Sequence, residues 1–155
     1  MLNQWWIDAG RILASENPRD KELDALRTQG FEIVISLLDE QQQQPRYTVL
    51  NAENAGWKRH VLPIPESKAP SLDQLERFAT IVKAVPPLTK ILVHCSTGRG
   101  RAATIGAAYW IVQGSSAAEA IKRIEEVGHR DWKTPAREAV LHEFAWRHNS
   151  ELSPG

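Results

Sequence analysis

The chain has 155 residues, the size of one compact domain that can bury a core without metals or disulfides. Its 19 basic and 19 acidic residues cancel, which excludes a global basic surface for nucleic acid or an anionic membrane. A hydrophobic share of 42% with 25% charged residues describes a globular protein, and the single cysteine excludes an intramolecular disulfide.

The opening MLNQWWIDAG has neither the basic n-region nor the apolar h-region of a secretion signal, so a cytoplasmic protein is expected. The longest uncharged run, Ala102 to Ala118, is broken by Gln113, Gly114, Ser115 and Ser116 and is too short and too polar to span a bilayer. Arg11 to Ala14 predicts a short first strand. Asn17-Pro18 then marks a turn, and Lys21 to Gln29 carries Leu23, Ala25 and Leu26 at helical spacing before a stop at Gly30. Phe31 to Leu38 (FEIVISLL) is nearly all apolar and rich in β-branched residues, the pattern of a strand buried on both faces.

Asp39 to Pro45 (DEQQQQP) reads as a surface loop with no function of its own. Arg46 to Ala55 mixes strand and helix signals, and the alanines before Gly56 tip it toward a helix. Trp57 to Leu62 predicts a strand that Pro63-Ile64-Pro65 forces into an extended exit. Ser71 and Gln74 have capping-box spacing and open a helix with Leu72, Leu75, Phe78 and Val82 on one face, closed by Pro86-Pro87. Ile91 to Val93 is a short buried strand, and Ile105 to Val112 suits a helix. Ser116 and Glu119 repeat the capping-box spacing ahead of Ile121, Ile124 and Val127, with Gly128 as the stop. Thr134-Pro135 gives an N-cap and a first-turn proline for a last helix, and the tail ELSPG is expected to fray. Alternating strands and helices predict an α/β fold with a mostly parallel sheet flanked by helices, as one domain over 1–155 with its core about 10–148.

Ligands of open α/β sheets bind at the carboxyl ends of the strands, and His94 to Arg101 (HCSTGRGR) lies between such an end and a helix start. Gly98 and Gly100 let the backbone turn its N–H groups inward, and the following helix presents its positive end, so the loop suits an anion. Arg101 adds a fork for two phosphate oxygens. The same donors favour the thiolate of Cys95, which beneath a bound phosphate is placed for in-line attack on phosphorus without a metal or cofactor. The competing reading of Cys95 is a small buried residue in a structural turn.

HCSTGRGR resembles the His-Cys-x5-Arg signature loop of the cysteine-dependent protein tyrosine and dual-specificity phosphatases, and the resemblance extends from about Gly10 to Phe144. It implies a phosphomonoester hydrolase working through phosphocysteine, with Cys95 as nucleophile and Arg101 as phosphate clamp. It further implies Ser96, Thr97, Gly98, Arg99 and Gly100 at the substrate and His94 as a support for the cysteine. The family's general acid is an aspartate ahead of Pro-Ser; the aligned stretch PIPESKAPS has Glu66 there, with Asp73 and Asp131 ranked behind it. Asp73 has an explanation of its own as a first-turn acid after the Ser71 cap. The family's serine or threonine after the arginine is here Ala102, which removes a hydroxyl from the departing thiolate, and Thr104 should face elsewhere on the helix. Arg99 is either one more cation for a polyphosphorylated substrate or a solvated surface charge.

The expected partner is a phosphorylated protein or a small phosphomonoester, with no nucleic acid. The alternatives are a phosphate-binding module with weak turnover, a phosphatase of phosphoinositides or inositol phosphates, and a sulfurtransferase or arsenate reductase. The absence of a second cysteine lowers the last.

Overall fold

The computed structural model describes residues 2–43, 46–128 and 131–152. Five strands form one sheet in the order β1-β2-β5-β3-β4. These are β1 (Gln4–Asp8), β2 (Ile12–Ser15), β3 (Phe31–Ser36), β4 (Lys58–Val61) and β5 (Lys90–His94). β2, β5, β3 and β4 run parallel, and β1 is an antiparallel edge strand paired Trp5 to Ala14 and Trp6 to Leu13. The helices are α1 (Asp20–Thr28), α2 (Glu40–Gln43), α3 (Val49–Asn54), α4 (Leu72–Lys83), α5 (Gly100–Val112), α6 (Ala117–Val127) and α7 (Pro135–Leu152).

The period of two along each strand divides the core. Ile12 and Ala14, Ile33 and Ile35, and Ile91 and Val93 face one layer, shared with α4, α5, α6 and α7. Leu13, Val34 and Leu92 face the other, shared with α1 and α3. Each fully buried aliphatic side chain contributes on the order of 1.5–3 kcal/mol, so the long FEIVISLL run is explained by a strand covered on both faces. α5 is buried all round, and its small residues let neighbours close in: a Cβ on Gly106 would lie 2.9 Å from Ile124 Cδ1.

Capping signals place the helices. Ser71 and Gln74 form the reciprocal capping box at α4, while Ser116 accepts from the Glu119 amide at α6. Thr134 Oγ1 accepts from the Arg137 amide at α7, so Pro135 sits in the first turn as expected.

Two elements differ from expectation. β1 escaped the sequence because QWWID buries only Ile7 fully; the strand is held by pairing with β2 and by Trp6 stacking on Phe31 at 6.1 Å. The stretch from Asp39, expected as loop, contains the one-turn helix α2, capped by Asp39 Oδ1 on the Gln42 amide at 2.8 Å and anchored by buried Gln43. The rest of that stretch, Gln44 and Pro45, lies outside the described residues, as do Ser153 to Gly155 of the tail. No helix among the described residues is long and apolar enough to cross a membrane.

Candidate active site

The parallel strands end together at one edge, where β5 lies between β2 and β3. Its continuation is tied to both neighbours: the Cys95 amide donates to Ser15 O at 3.2 Å, and the Leu37 amide donates to His94 O at 2.9 Å. Strand alternation sends His94 and Cys95 to opposite faces.

His94 is fully buried, with Nε2 hydrogen-bonded to the Tyr47 hydroxyl at 2.8 Å. That hydroxyl accepts from Arg59 Nε at 3.1 Å, and Arg59 pairs with Glu40 at 2.9 Å. Burial, and then the positive charge of Arg59, push the His94 pKa down to about 3, so the imidazole is neutral near neutral pH. The ring is held behind the loop by the Tyr47 hydroxyl, on the side of the strand away from Cys95.

Cys95 is 2% exposed, and its Sγ accepts from the Gly98 amide at 3.2 Å. Gly98 has φ +80°, and a Cβ there would fall 2.6 Å from the carbonyl carbon of Ser15, so only glycine closes this turn. The edge strand adds a clamp, with Trp5 Nε1 donating to Gly98 O at 2.7 Å. Arg101, 5% exposed in the first turn of α5, donates through Nη1 to Ile64 O at 2.9 Å. That bond joins the cysteine loop to the segment after β4.

A cleft of about 230 Å³ opens over the sulfur, below the usual size of a site that encloses a whole small ligand. It can grip the head of a substrate and leave the rest outside. Cys95, Ser96, Thr97, Gly100 and Arg101 line its floor, and Glu66 and Ser67 line one wall. Glu66 therefore reaches the sulfur's cleft from a separate loop, whereas Asp73 sits in the first turn of α4. Asp131 is exposed beside the Trp132 turn and does not line this cleft.

The other residues expected around an anion are distributed differently. Gly98 serves the sulfur through its amide, and Arg99 lines adjoining clefts with Asn3, Trp5 and Glu16. Ala102 is fully buried, and the Thr104 hydroxyl donates to Gly100 O at 2.9 Å, away from the sulfur's needs. Two residues went unmarked in the sequence: Thr134 and Arg137 form the remaining wall. Their signal was only the Thr-Pro start of α7, read as a cap.

The arrangement brings a thiol, a guanidinium and a carboxyl group to one cleft beside a helix start, and no group of three or more His, Cys, Asp or Glu side chains among the described residues could hold a metal ion. A model of the Swiss Army Knife group PTP-SAK, described as a DSP-PTPase phosphatase domain, matches residues 2–150. No match was found among curated proteins. Among solved structures, Tk-PTP in its active form superposes with a TM-score of 0.83 at 29% identity, covering 94% of this chain and 97% of that one. PTPMT1 in complex with PI(5)P gives 0.84 at 24%, covering 97% and 99%. Human DUSP28 gives 0.74 at 18%, covering 94% and 95%.

Proposed function

The chain belongs to the PTP-SAK group of DSP-PTPase phosphatase domains and is a cysteine-dependent phosphatase, and from that premise we propose that Cys95, Arg101 and Glu66 carry its reaction. The observation that carries this reading is their convergence on one cleft from three places: the end of β5, the start of α5 and the loop after β4.

The Cys95 thiolate attacks phosphorus in line with the ester oxygen. The S–P bond forms as the P–O bond breaks, and the leaving oxygen takes its electron pair and a proton from the Glu66 carboxyl. Arg101, the loop amides and the start of α5 hold the equatorial oxygens as charge spreads over them. Water then attacks the phosphocysteine, gives its proton to the Glu66 carboxylate, and the thiolate departs. The Gly98 amide is the donor that receives the departing sulfur, since position 102 offers no hydroxyl. Hydrolysis of phosphocysteine is accordingly the slow step.

His94 supports the loop, and Ser96, Thr97 and Gly100 supply the floor beneath the phosphate. The whole chain, with its core about 10–148, works as one domain on a phosphorylated protein or small phosphomonoester, with no nucleic acid partner. The balanced charge supports that exclusion, and a lone nucleophilic thiol fits the reducing cytoplasm. Because the PTPMT1 neighbour was solved with PI(5)P, phosphoinositides belong beside phosphopeptides and inositol phosphates in a phosphate-release screen. Release from at least one class, abolished by Cys95→Ser, is expected. A rate unchanged by that substitution would refute the mechanism, and a burst without turnover would make the chain a phosphate-binding module.

A further inference from the structure

Arg137 is costly where it stands. It is 7% exposed, and it lies in the first turn of α7, where the peptide dipoles already present positive charge. Burial, and then the charge of Arg101, lower its pKa, while the Cys95 charge acts in the opposite direction. Among the described residues no carboxylate pairs with it; the ion pairs there involve Arg46, Arg59, Lys133 and Arg147. Its Nη1 donates to Trp132 O at 2.8 Å, but its buried Nε has no hydrogen-bond partner. A buried cation with no carboxylate beside it and an unpaired N–H gains most from an anion bound in the cleft that it lines.

Gly100 points the same way. Unlike Gly98, it has no left-handed φ that would require glycine. The close neighbour there is the guanidinium itself: a Cβ would fall 2.7 Å from Arg137 Nη1 and 3.0 Å from Nη2, so a side chain at 100 would displace the guanidinium from where it stands. Arg137 thus packs against the backbone of the anion loop and lines the cleft that holds Cys95 and Arg101. The two arginines are built alike, each fixed at Nη1 by one backbone carbonyl, of Ile64 or of Trp132. A fork held at one corner is already oriented for a planar set of oxygens.

We propose that Arg137 is a second guanidinium ligand of the bound phosphate, so that the cleft grips a dianionic terminal phosphate between Arg101 of α5 and Arg137 of α7. This rests on the phosphatase reading above and deepens it, because a doubly charged monoester uses both cations.

The test needs no turnover. Protection of Cys95 from iodoacetamide by graded inorganic phosphate gives an apparent Kd for wild type, Arg137→Gln and Arg137→Lys. Loss of a charge-assisted pair of hydrogen bonds should weaken phosphate roughly tenfold to hundredfold in Arg137→Gln, with Arg137→Lys between. A bond to the Trp132 carbonyl as the sole role of Arg137 would lower Tm in Arg137→Gln and leave the Kd at the wild-type value, which overturns the proposal. Should that variant not fold, the Nε–H resonance of Arg137 in the wild-type protein decides: it should shift on phosphate titration, and a signal unmoved at saturation overturns the proposal. Wild-type protein that phosphate does not protect at all is a different result, since it removes the anion site and the phosphatase mechanism together.

Discussion

The loop from His94 to Arg101 and the loop from Pro65 to Pro70 face each other across one cleft and are built in opposite ways. The first is tied from every side: Cys95 N to Ser15 O, Asn17 N to Ser96 O, Trp5 Nε1 to Gly98 O and Arg101 Nη1 to Ile64 O. The second is exposed from Pro65 to Lys68, is closed by the Lys68 amide on Pro65 O, and turns through Ser67 at φ 65°. A cradle for an anion must be preorganised, because its donors gain nothing if they have to move during the reaction. A proton donor serves better on a segment that can admit substrate and then approach it.

Disturbing the rigid side should damage binding and turnover together. Gly98→Ala drives a Cβ to 2.6 Å from backbone that cannot yield, and displaced donors should cost roughly a hundredfold or more in phosphate release. Weakened phosphate protection of Cys95 checks that both fail. Disturbing the loose side should spare binding. Glu66→Gln is expected to lower kcat/KM, which reports formation of the phosphocysteine, about a hundredfold on phenyl phosphate and less on esters with better leaving groups, with phosphate affinity unchanged. An equal loss on every leaving group would remove Glu66 as the acid.

A gain is expected where the cradle lacks a donor. Ala102→Ser should raise the steady rate relative to the burst by roughly tenfold if its hydroxyl receives the thiolate, and pre-steady-state kinetics separate the two phases. The last expectation concerns stability rather than rate, at the underside of the cradle. His94 titrates about 3 when folded and 6.5 when unfolded, so the unfolded chain binds the extra proton between those values. Its contribution is fully present above pH 6.5 and falls by up to about 1.4 kcal/mol per pH unit on the way down. Urea midpoints followed across that window should show the slope, and His94→Asn should flatten it.

Much of this was readable in the chain. Strong local patterns, FEIVISLL and the Ser71, Ser116 and Thr134 starts, gave the strand and helices where they are, because burial and capping act on neighbouring residues. Weak local patterns failed in both directions: QWWID is a strand only because β2 pairs with it, and EQQQ is a helical turn only because Gln43 is buried. The site divides the same way. Cys95 and Arg101 were marked by their place between a strand end and a helix start, and Glu66 only through the family resemblance, whereas Arg99, equally prominent in the motif, lines another cleft.

The sequence by itself determined the α/β order of elements and the strand-loop-helix that presents Cys95, and its resemblance to the phosphatase signature marked Glu66 and Ala102 as residues outside that pattern. Those depend on residues within a few positions of each other. Only the tertiary structure decided which distant groups complete the cleft. It set Tyr47 and Arg59 behind His94, clamped Gly98 with Trp5, and brought Arg137 against Gly100 from 37 positions further along the chain. Such contacts follow from strand order and helix packing, which no local period encodes.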